Sequence, residues 1–170
     1  MNRKLNEVIV ELKPSLTVKG EVGVFAVRDI KKGQKVCPTK SDDEEFISKE
    51  EMSKLSPELQ EKIKNFTAGT DKGYFMEKGI DFNELPISYY FNHSCEGNLG
   101  FDGDGDFITM RNIKKNEELL YDYGLLEADP DFKFVCGCGS VNCRKIITGN
   151  DWKNEEFRRK YYDYLYPDLK

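Results

Sequence analysis

The sequence lacks any long apolar run. None of its 170 residues lies in an uninterrupted apolar stretch that approaches the roughly 20 residues of a membrane-spanning helix. The first residues, MNRKLNEVIVELK, also lack the apolar core and the cleavage site of a secretory signal peptide. We therefore expect a protein without membrane association that stays inside the cell.

An excess of positive charge is missing as well. The formal net charge is −5, from 26 basic and 31 acidic residues, and the pI is near 5.1. Because non-specific affinity for phosphate backbones comes from clustered lysine and arginine, direct nucleic-acid binding is not expected. The acidity favours a basic partner, and the alternative, that it only keeps the protein in solution, remains equally open.

Histidine is nearly absent, because His93 is the only one in the chain. A lone histidine is usually structural, so we expect packing and backbone contacts from His93 rather than general-base catalysis. Cysteine is present five times. In the reducing interior of a cell, five cysteines indicate metal binding or free thiols rather than a disulfide framework.

The composition and the local patterns describe one domain that is mostly β, with a small helical insert (α+β). A chain of this length needs no second domain to bury a core. Short β-rich runs between turn residues predict strands at 8–12, 22–27, 34–38, 74–77, 107–113 and 118–123. The insert is predicted at about 41–66, where Ser48 and Glu51 form a capping box and Ser56 precedes Pro57.

Two further patterns predict turns. VRDIKKGQKV at 27–36 is matched by MRNIKKNEEL at 110–119, and each predicts a hairpin made of a strand, a basic turn and a strand. FDGDGDF at 101–107 copies the first three ligand positions of a calcium loop, but Ile113 occupies the position that needs a bidentate glutamate. We therefore predict a hairpin turn there rather than a calcium site.

CGCGSVNC at 136–143 predicts a zinc site. Cys136, Cys138 and Cys143 bring three soft ligands together among glycines that let the backbone fold around an ion. Structural zinc normally takes four ligands, so one is missing. Cys37, Cys95 and His93 remain as candidates, although Cys37 lies in a predicted strand and is expected in the core.

Three motifs together resemble a known family. YYFNHSCEGN at 89–98, NEELLYDYG at 116–124 and CGCGSVNCRKII at 136–147 are similar, in order and spacing, to the signature segments of SET-domain protein lysine methyltransferases with a post-SET zinc motif. KGEVGVFAVRDIKKGQKV at 19–36 resembles the family's opening segment. The resemblance implies a SET domain (14–125) and a post-SET zinc-binding segment (132–149). The C-terminal helical tail (150–170) lies beyond the matched region.

The resemblance implies a fold of several short β-sheets around a pseudoknot, with S-adenosylmethionine as cofactor. It also implies that Cys95 completes the zinc site. The residues expected to hold the cofactor are Glu21, Val22, Gly23, Asn92, His93 and Tyr123. One position departs from the family pattern, because Glu21 stands where the opening segment usually has a glycine.

The implied chemistry is attack of a neutral lysine amine on the methyl group of a sulfonium. A free lysine has a pKa of about 10.4, and a channel walled by aromatic rings lowers it by removing water from the ammonium. The resemblance makes Tyr123 the catalytic tyrosine and Tyr121 the position that tunes product methylation, with Tyr74 as a further channel wall. Tyr121 and Tyr123 are expected on one face of a strand. By analogy with the family, a tyrosine rather than a phenylalanine at 121 implies a preference for monomethylation.

The expected function is methylation of a lysine in a basic protein segment, such as a histone tail. The protein is expected to be a monomer or homodimer, in the nucleus of a eukaryote or otherwise in the cytoplasm. The alternative is a catalytically silent SET-fold module that binds a peptide. The helix-like tail could cover the core, close the substrate channel or form a dimer, and packing on the core is expected for its apolar face of Trp152, Phe157, Tyr161 and Leu165.

Overall fold

The structure is a computed structural model that describes residues 8–37 and 44–170. Within these residues the strands are β1 (Val10–Pro14), β2 (Val22–Ala26), β3 (Lys35–Cys37), β4 (Glu44–Ser48), β5 (Gly73–Glu77), β6 (Asn92–His93), β7 (Leu99–Phe101), β8 (Phe107–Thr109), β9 (Glu118–Tyr121), β10 (Lys133–Val135) and β11 (Ile146–Thr148). The helices are α1 (Lys49–Met52), α2 (Pro57–Phe66) and α3 (Glu155–Tyr161), with several short 3₁₀ turns. The prediction of a mostly β fold with few helices is confirmed. None of the helices in the described ranges is long and apolar enough to cross a membrane.

The largest sheet brings two signature segments side by side, because β6 and β7 both pair with β9. Among the described residues its order is β1-β2-β9-β7-β8-β3, and β6 also pairs with β9. β6 and β7 both run parallel to β9, so the segment 92–101 lies beside 118–121. Their apolar side chains join the main core, which includes the fully buried Val24, Leu99, Phe101, Leu119 and Leu125.

The two matched turns pair with each other instead of closing separate hairpins. Ile30 and Ile113, which hold equivalent positions in the two copies, exchange backbone hydrogen bonds of 3.0 and 2.8 Å. Gly33 and Asn116, also equivalent, both adopt positive φ, at 80° and 66°. The prediction of two hairpins was wrong, because β2 pairs with β1 and β9 while β3 pairs with β8. The similarity of the two stretches produces a local twofold arrangement.

The insert is a hairpin with helices rather than a helical segment alone. The capping box is confirmed, since the Ser48 side chain accepts from the Glu51 backbone and the Glu51 carboxylate accepts from the Ser48 backbone. β4 was not predicted, and it pairs along its whole length with β5. Part of the predicted insert, 41–43, lies outside the described residues. A small core of Met52, Ile63 and Tyr74 holds the insert together.

The aspartate-rich turn at 101–107 binds the side chain of Lys35, which belongs to β3. It joins the antiparallel strands β7 and β8, as predicted for a hairpin. The Lys35 Nζ lies 3.1, 3.4 and 2.8 Å from carboxylate oxygens of Asp102, Asp104 and Asp106. The single ammonium therefore bridges the three carboxylates and offsets one of their three negative charges.

The C-terminal tail packs on the main core, as expected. Phe157, Tyr161 and Leu165 are buried there, while Trp152 is half-buried. The α-helix of the tail, α3, is short, because Asn154 caps its N-terminus and 3₁₀ turns precede and follow it. β10 and β11 form a separate two-stranded hairpin that carries the cysteine motif.

Candidate active site and metal centre

Four cysteines meet in one cluster. The sulfur atoms of Cys95, Cys136, Cys138 and Cys143 all lie within 4.8 Å of one another, and those of Cys95 and Cys136 are 4.0 Å apart. Four sulfurs bound tetrahedrally to zinc at about 2.3 Å lie about 3.8 Å apart, so a contraction of at most about 1 Å would bring the cluster to the spacing of a zinc site. Cys37 lies elsewhere, in β3 against the main core.

Backbone N–H groups point at the sulfur atoms. The amides of Cys138, Arg144 and Lys145 each donate at 3.4 Å, to the sulfurs of Cys136, Cys95 and Cys143 respectively. Lys145 adopts a positive φ of 66°, which is unusual for a residue with a side chain. Such donors stabilise thiolates, the form in which cysteine binds a metal.

His93 connects the cysteine cluster to Tyr123. Its Nδ1 accepts a hydrogen bond of 3.1 Å from the Tyr123 backbone N–H, so this nitrogen carries no proton. The proton of the neutral ring is therefore on Nε2, which lies 3.3 Å from the Cys95 sulfur and donates to it. Burial lowers the pKa of His93 to about 4, which keeps the ring neutral. This arrangement agrees with the expectation of a structural histidine.

Tyr121 and Tyr123 come together by a different route from the expected one. β9 ends at Tyr121, and Tyr123 begins a 3₁₀ turn that Asp122 caps by accepting from the Gly124 N–H. The two residues are therefore not successive positions on one strand face. Their rings still pack together, with centroids 4.8 Å apart. Both hydroxyls remain protonated, because burial raises the pKa of Tyr121 well above its usual value and that of Tyr123 to about 12.

Two cavities adjoin at Tyr123. The smaller has a volume of about 430 Å³ and the larger about 680 Å³. Tyr121 lines the smaller cavity, and Asn92 and His93 line the larger one. The residues that line both cavities are Lys64, Asn65, Tyr123 and Phe132. Tyr123 thus stands at the boundary, and its hydroxyl donates to the Phe91 carbonyl oxygen at 3.3 Å.

The smaller cavity combines aromatic walls with acidic groups. Phe91, Phe107 and Tyr121 belong to its apolar lining. Its charged lining consists of Glu44, Glu77, Glu127, Asp168 and one cation, Lys64. The excess of carboxylates suits a cationic side chain.

The larger cavity is lined by three of the six predicted cofactor-binding residues, Asn92, His93 and Tyr123, whereas Glu21, Val22 and Gly23 are not part of its lining. Asn92 donates from its side-chain nitrogen to the Val22 carbonyl at 2.8 Å, which joins β6 to β2. A Cβ at Gly23 would collide with a Glu118 carboxylate oxygen, so a larger residue there would have to displace the Glu118 side chain. The pKa of Tyr123 is raised mainly by the burial of its own side chain and secondly by the negative charge of Glu21, which therefore lies nearby. The volume falls in the range of about 300–1,000 Å³ that is usual for small-molecule sites.

Tyr74 lies apart from Tyr121, although it shares the larger cavity with Tyr123. It lines the larger cavity rather than the one that contains Tyr121. Its hydroxyl donates to Asp129 Oδ2 at 2.7 Å, and Asp129 Oδ1 in turn accepts from Lys49 at 2.7 Å. Tyr74 therefore holds the insert against the segment that precedes β10.

A protein-family comparison identifies the fold. The family model for the SET domain matches residues 21–124, which is more than half of the chain. The chain belongs to the SET-domain family. Of its relatives, the probable histone-lysine N-methyltransferase set-23 of Caenorhabditis briggsae is 32% identical over 146 residues, which cover 78% of this chain and 58% of that protein.

Other relatives are much longer proteins. The variant-silencing SET domain-containing protein of Plasmodium falciparum (isolate 3D7) is 30% identical over 157 residues, 84% of this chain and 6% of its own length. Human histone-lysine N-methyltransferase 2B is 29% identical over 102 residues, 52% of this chain and 4% of its own length. The matched part is thus less than two thirds of each of these three proteins.

Several residues of the SET-domain site had no clear signal in the sequence. Glu118 binds the loop that precedes β2, since its carboxylate accepts from the Ser15 hydroxyl at 2.6 Å and from the Leu16 and Thr17 amides at 3.0 and 3.1 Å. Phe132 and Phe134 were not predicted as site residues either, although two aromatic residues just before the cysteine motif indicated an apolar surface there. The Phe134 ring packs edge-on against His93, with centroids 5.3 Å apart.

Glu127 makes the stability of this SET domain depend on pH. Burial raises its pKa from 4.5 to about 7, although the backbone amides of Asp129 and Gly69 donate to its carboxylate. A raised folded-state pKa means that the stabilisation is complete below pH 4.5 and is lost as the pH rises through about 7. By linkage the loss is on the order of 3 kcal/mol.

Glu127→Gln is therefore expected to gain stability relative to wild type between pH 5 and pH 8. Denaturant unfolding at both pH values measures the difference, with the exposed Glu156→Gln as the matched control. An equal difference between Glu127→Gln and wild type at the two pH values would contradict this assignment.

Proposed function

We propose that this SET-domain protein is an S-adenosylmethionine-dependent protein-lysine N-methyltransferase. The observation that carries the proposal is the position of Tyr123 at the boundary between two cavities of different character. A lysine side chain in the acidic, aromatic cavity can there meet a methyl donor in the larger one. The names of the relatives, which include histone-lysine N-methyltransferases, support the same activity.

The larger cavity is proposed as the cofactor site. Its lining includes the polar Asn92 and the aromatic Phe132 and Phe134, which suit a ligand with both polar groups and a flat ring. S-adenosylmethionine, when bound, supplies an electrophilic methyl group on a positively charged sulfur. Asn92 and the backbone of Glu21, Val22 and Gly23 would hold it, and the exposed Glu21 carboxylate adds a negative charge on this side.

The smaller cavity is proposed as the lysine channel. Its aromatic walls remove water from the ammonium and favour the neutral amine. The Tyr123 hydroxyl donates to Phe91, so its oxygen remains able to accept an N–H of that amine. An amine held by its N–H directs its lone pair away from the tyrosine. Fixed geometry of this kind contributes on the order of several kcal/mol to catalysis.

The four-cysteine cluster is proposed to bind zinc as a structural ion. All four positions are cysteines, which leaves no open position for catalysis. The ion would hold β10 and β11, and with them Phe134, against the segment 92–98. In this way it would shape one wall of the cofactor site.

The substrate is proposed to be a lysine in a basic protein segment, with histone tails as the first candidates and the nucleus as the matching location in a eukaryote. The acidic lining of the smaller cavity favours cationic flanking residues. The tail adds to this wall through Tyr166, Asp168 and Leu169. It therefore both packs on the core and borders the proposed channel.

The test combines binding and turnover. Calorimetry of the zinc-loaded protein with S-adenosylmethionine should detect binding, and labelled cofactor should transfer methyl groups to basic peptides and histones. Peptides with the lysine replaced by arginine serve as matched controls and should stay unlabelled. Failure to bind the cofactor at high micromolar concentration would instead favour the silent peptide-binding module.

Tyr121→Phe is expected to shift the product from monomethyl-lysine towards dimethyl- and trimethyl-lysine. Removal of a hydroxyl next to Tyr123 enlarges the channel and removes a group that can retain water. Mass spectrometry of a peptide product measures the distribution, with the exposed Tyr162→Phe as control. Rapid accumulation of trimethyl-lysine by wild type, unchanged in Tyr121→Phe, would show that this position does not limit methylation.

A further inference from the structure

Asp122, between the two tyrosines, is a buried charge with one main partner. Its side chain is fully buried, and both of its oxygens accept hydrogen bonds from the Arg144 guanidinium, at 2.5 Å from Nη1 and 2.6 Å from Nη2. Such a two-pronged pair fixes distance and orientation together. A lysine would supply the charge without this geometry.

Arg144 also contacts the cysteine cluster and the tail. It directly follows Cys143, and its backbone N–H donates to the Cys95 sulfur at 3.4 Å. Its Nε donates to Asp151 at 3.0 Å, and its guanidinium lies 5.2 Å from the centre of the Phe157 ring. One residue therefore joins the metal centre, the tail and the turn that contains Tyr123.

Asp122 in turn defines the backbone at Tyr123. Its Oδ1 accepts from the Gly124 N–H at 3.0 Å, and its main-chain oxygen accepts from the Leu125 N–H at 2.8 Å. These bonds form the 3₁₀ turn that begins at Tyr123. The orientation of the Asp122 carboxylate, set by Arg144, thus determines where the Tyr123 ring stands between the two cavities.

We propose that Arg144 is a positioning residue, which fixes Tyr123 at the boundary of the two cavities through Asp122. The role of the positioned Tyr123 in methyl transfer rests on the function proposed above. The connection from Cys95 through His93 to the Tyr123 amide acts on the same turn from the other side. The cysteine cluster therefore orders the catalytic turn through two separate polar contacts.

The test measures the order of the turn and the rate of turnover separately. Hydrogen exchange at the amides of residues 123–125 should become roughly tenfold faster in Arg144→Met. The kcat should fall about 100-fold, the loss expected for a displaced catalytic group, while the KM values for cofactor and peptide change less than about threefold. Zinc content should stay at one ion per chain. The exposed Arg159→Met on α3 is the matched control and should behave as wild type.

Arg144→Met leaves the buried Asp122 carboxylate without its cationic partner, which could prevent folding. A second variant keeps the test valid in that case. Arg144→Lys retains the charge but loses the two-pronged contact, so it should show the same pattern of faster exchange and lower kcat. Unchanged exchange at residues 123–125 in a folded variant would overturn the proposal, and so would a loss of zinc that accounts for the whole effect. An inactive wild type would contradict the proposed function alone, because hydrogen exchange still tests the positioning.

Discussion

Tyr123→Phe is expected to lower the rate of lysine methylation by at least about 100-fold, equivalent to about 3 kcal/mol of transition-state stabilisation. The phenylalanine keeps the ring that packs against Tyr121 and His93, with centroids 4.8 and 5.1 Å away, so the cavities keep their shape. It removes the hydroxyl that bonds to Phe91 and that we propose to orient the amine. Single-turnover assays with a labelled methyl group measure the loss.

The controls for this variant separate chemistry from binding. Calorimetric affinity for S-adenosylmethionine should change less than about threefold, because the ring remains in the wall of the larger cavity. Tyr162→Phe, on the exposed surface of the tail, should retain wild-type turnover. Full activity of Tyr123→Phe would remove this tyrosine from the proposed mechanism.

Cys95→Ser is expected to damage methyl transfer more than global folding. Cys95, Cys136 and Ile147 form a small core of their own, separate from the main core around Leu99 and Leu119. Loss of one thiolate weakens zinc binding and releases the contact through His93 to the Tyr123 amide. We expect at least about 100-fold lower turnover, as for other displaced catalytic groups, while the main unfolding transition persists.

Zinc content by metal analysis, turnover and the unfolding curve should be measured on the same preparation. Cys37→Ser is the matched control, because this cysteine lies in β3, away from the cluster. Its zinc content and turnover should stay close to wild type. Undiminished turnover in metal-free protein would contradict a role of the ion in shaping the site.

Local sequence patterns correctly predicted the structural features that depend only on residues close together in the chain. The capping box at Ser48, the hairpin turn at Asp102 and most strand positions follow from the chemistry of a few adjacent side chains, and the structure contains them. Cys95 was more distant, 41 positions before Cys136, and became the preferred fourth ligand only through the family resemblance. Its sulfur does lie in the cluster.

Contacts between residues that are far apart in the sequence could not be predicted from such local patterns. Arg144 and Asp122 are 22 positions apart, and nothing in CRKII or YDYG indicates that they pair. The same holds for Tyr166 and Asp168, which reach the smaller cavity only because the tail folds back over the core. The expectation for Tyr121 and Tyr123 used strand geometry, but the Asp122 cap ends the strand between them.

The paired turns at Ile30 and Ile113 constrain the order in which this chain can fold. The hairpin of β1 and β2 is local, but Lys32 and its partner Asn112 are 80 positions apart, and Lys115 and Asp29 are 86 apart. Contacts of such long range form slowly, because chain entropy is lost before they provide stability. During synthesis, the edge of β2 that pairs with β9 and the edge of β3 that pairs with β8 therefore stay unpaired until β8 and β9 have been made. The cysteine motif emerges later still, so zinc would bind only after all strands of the largest sheet have been synthesised.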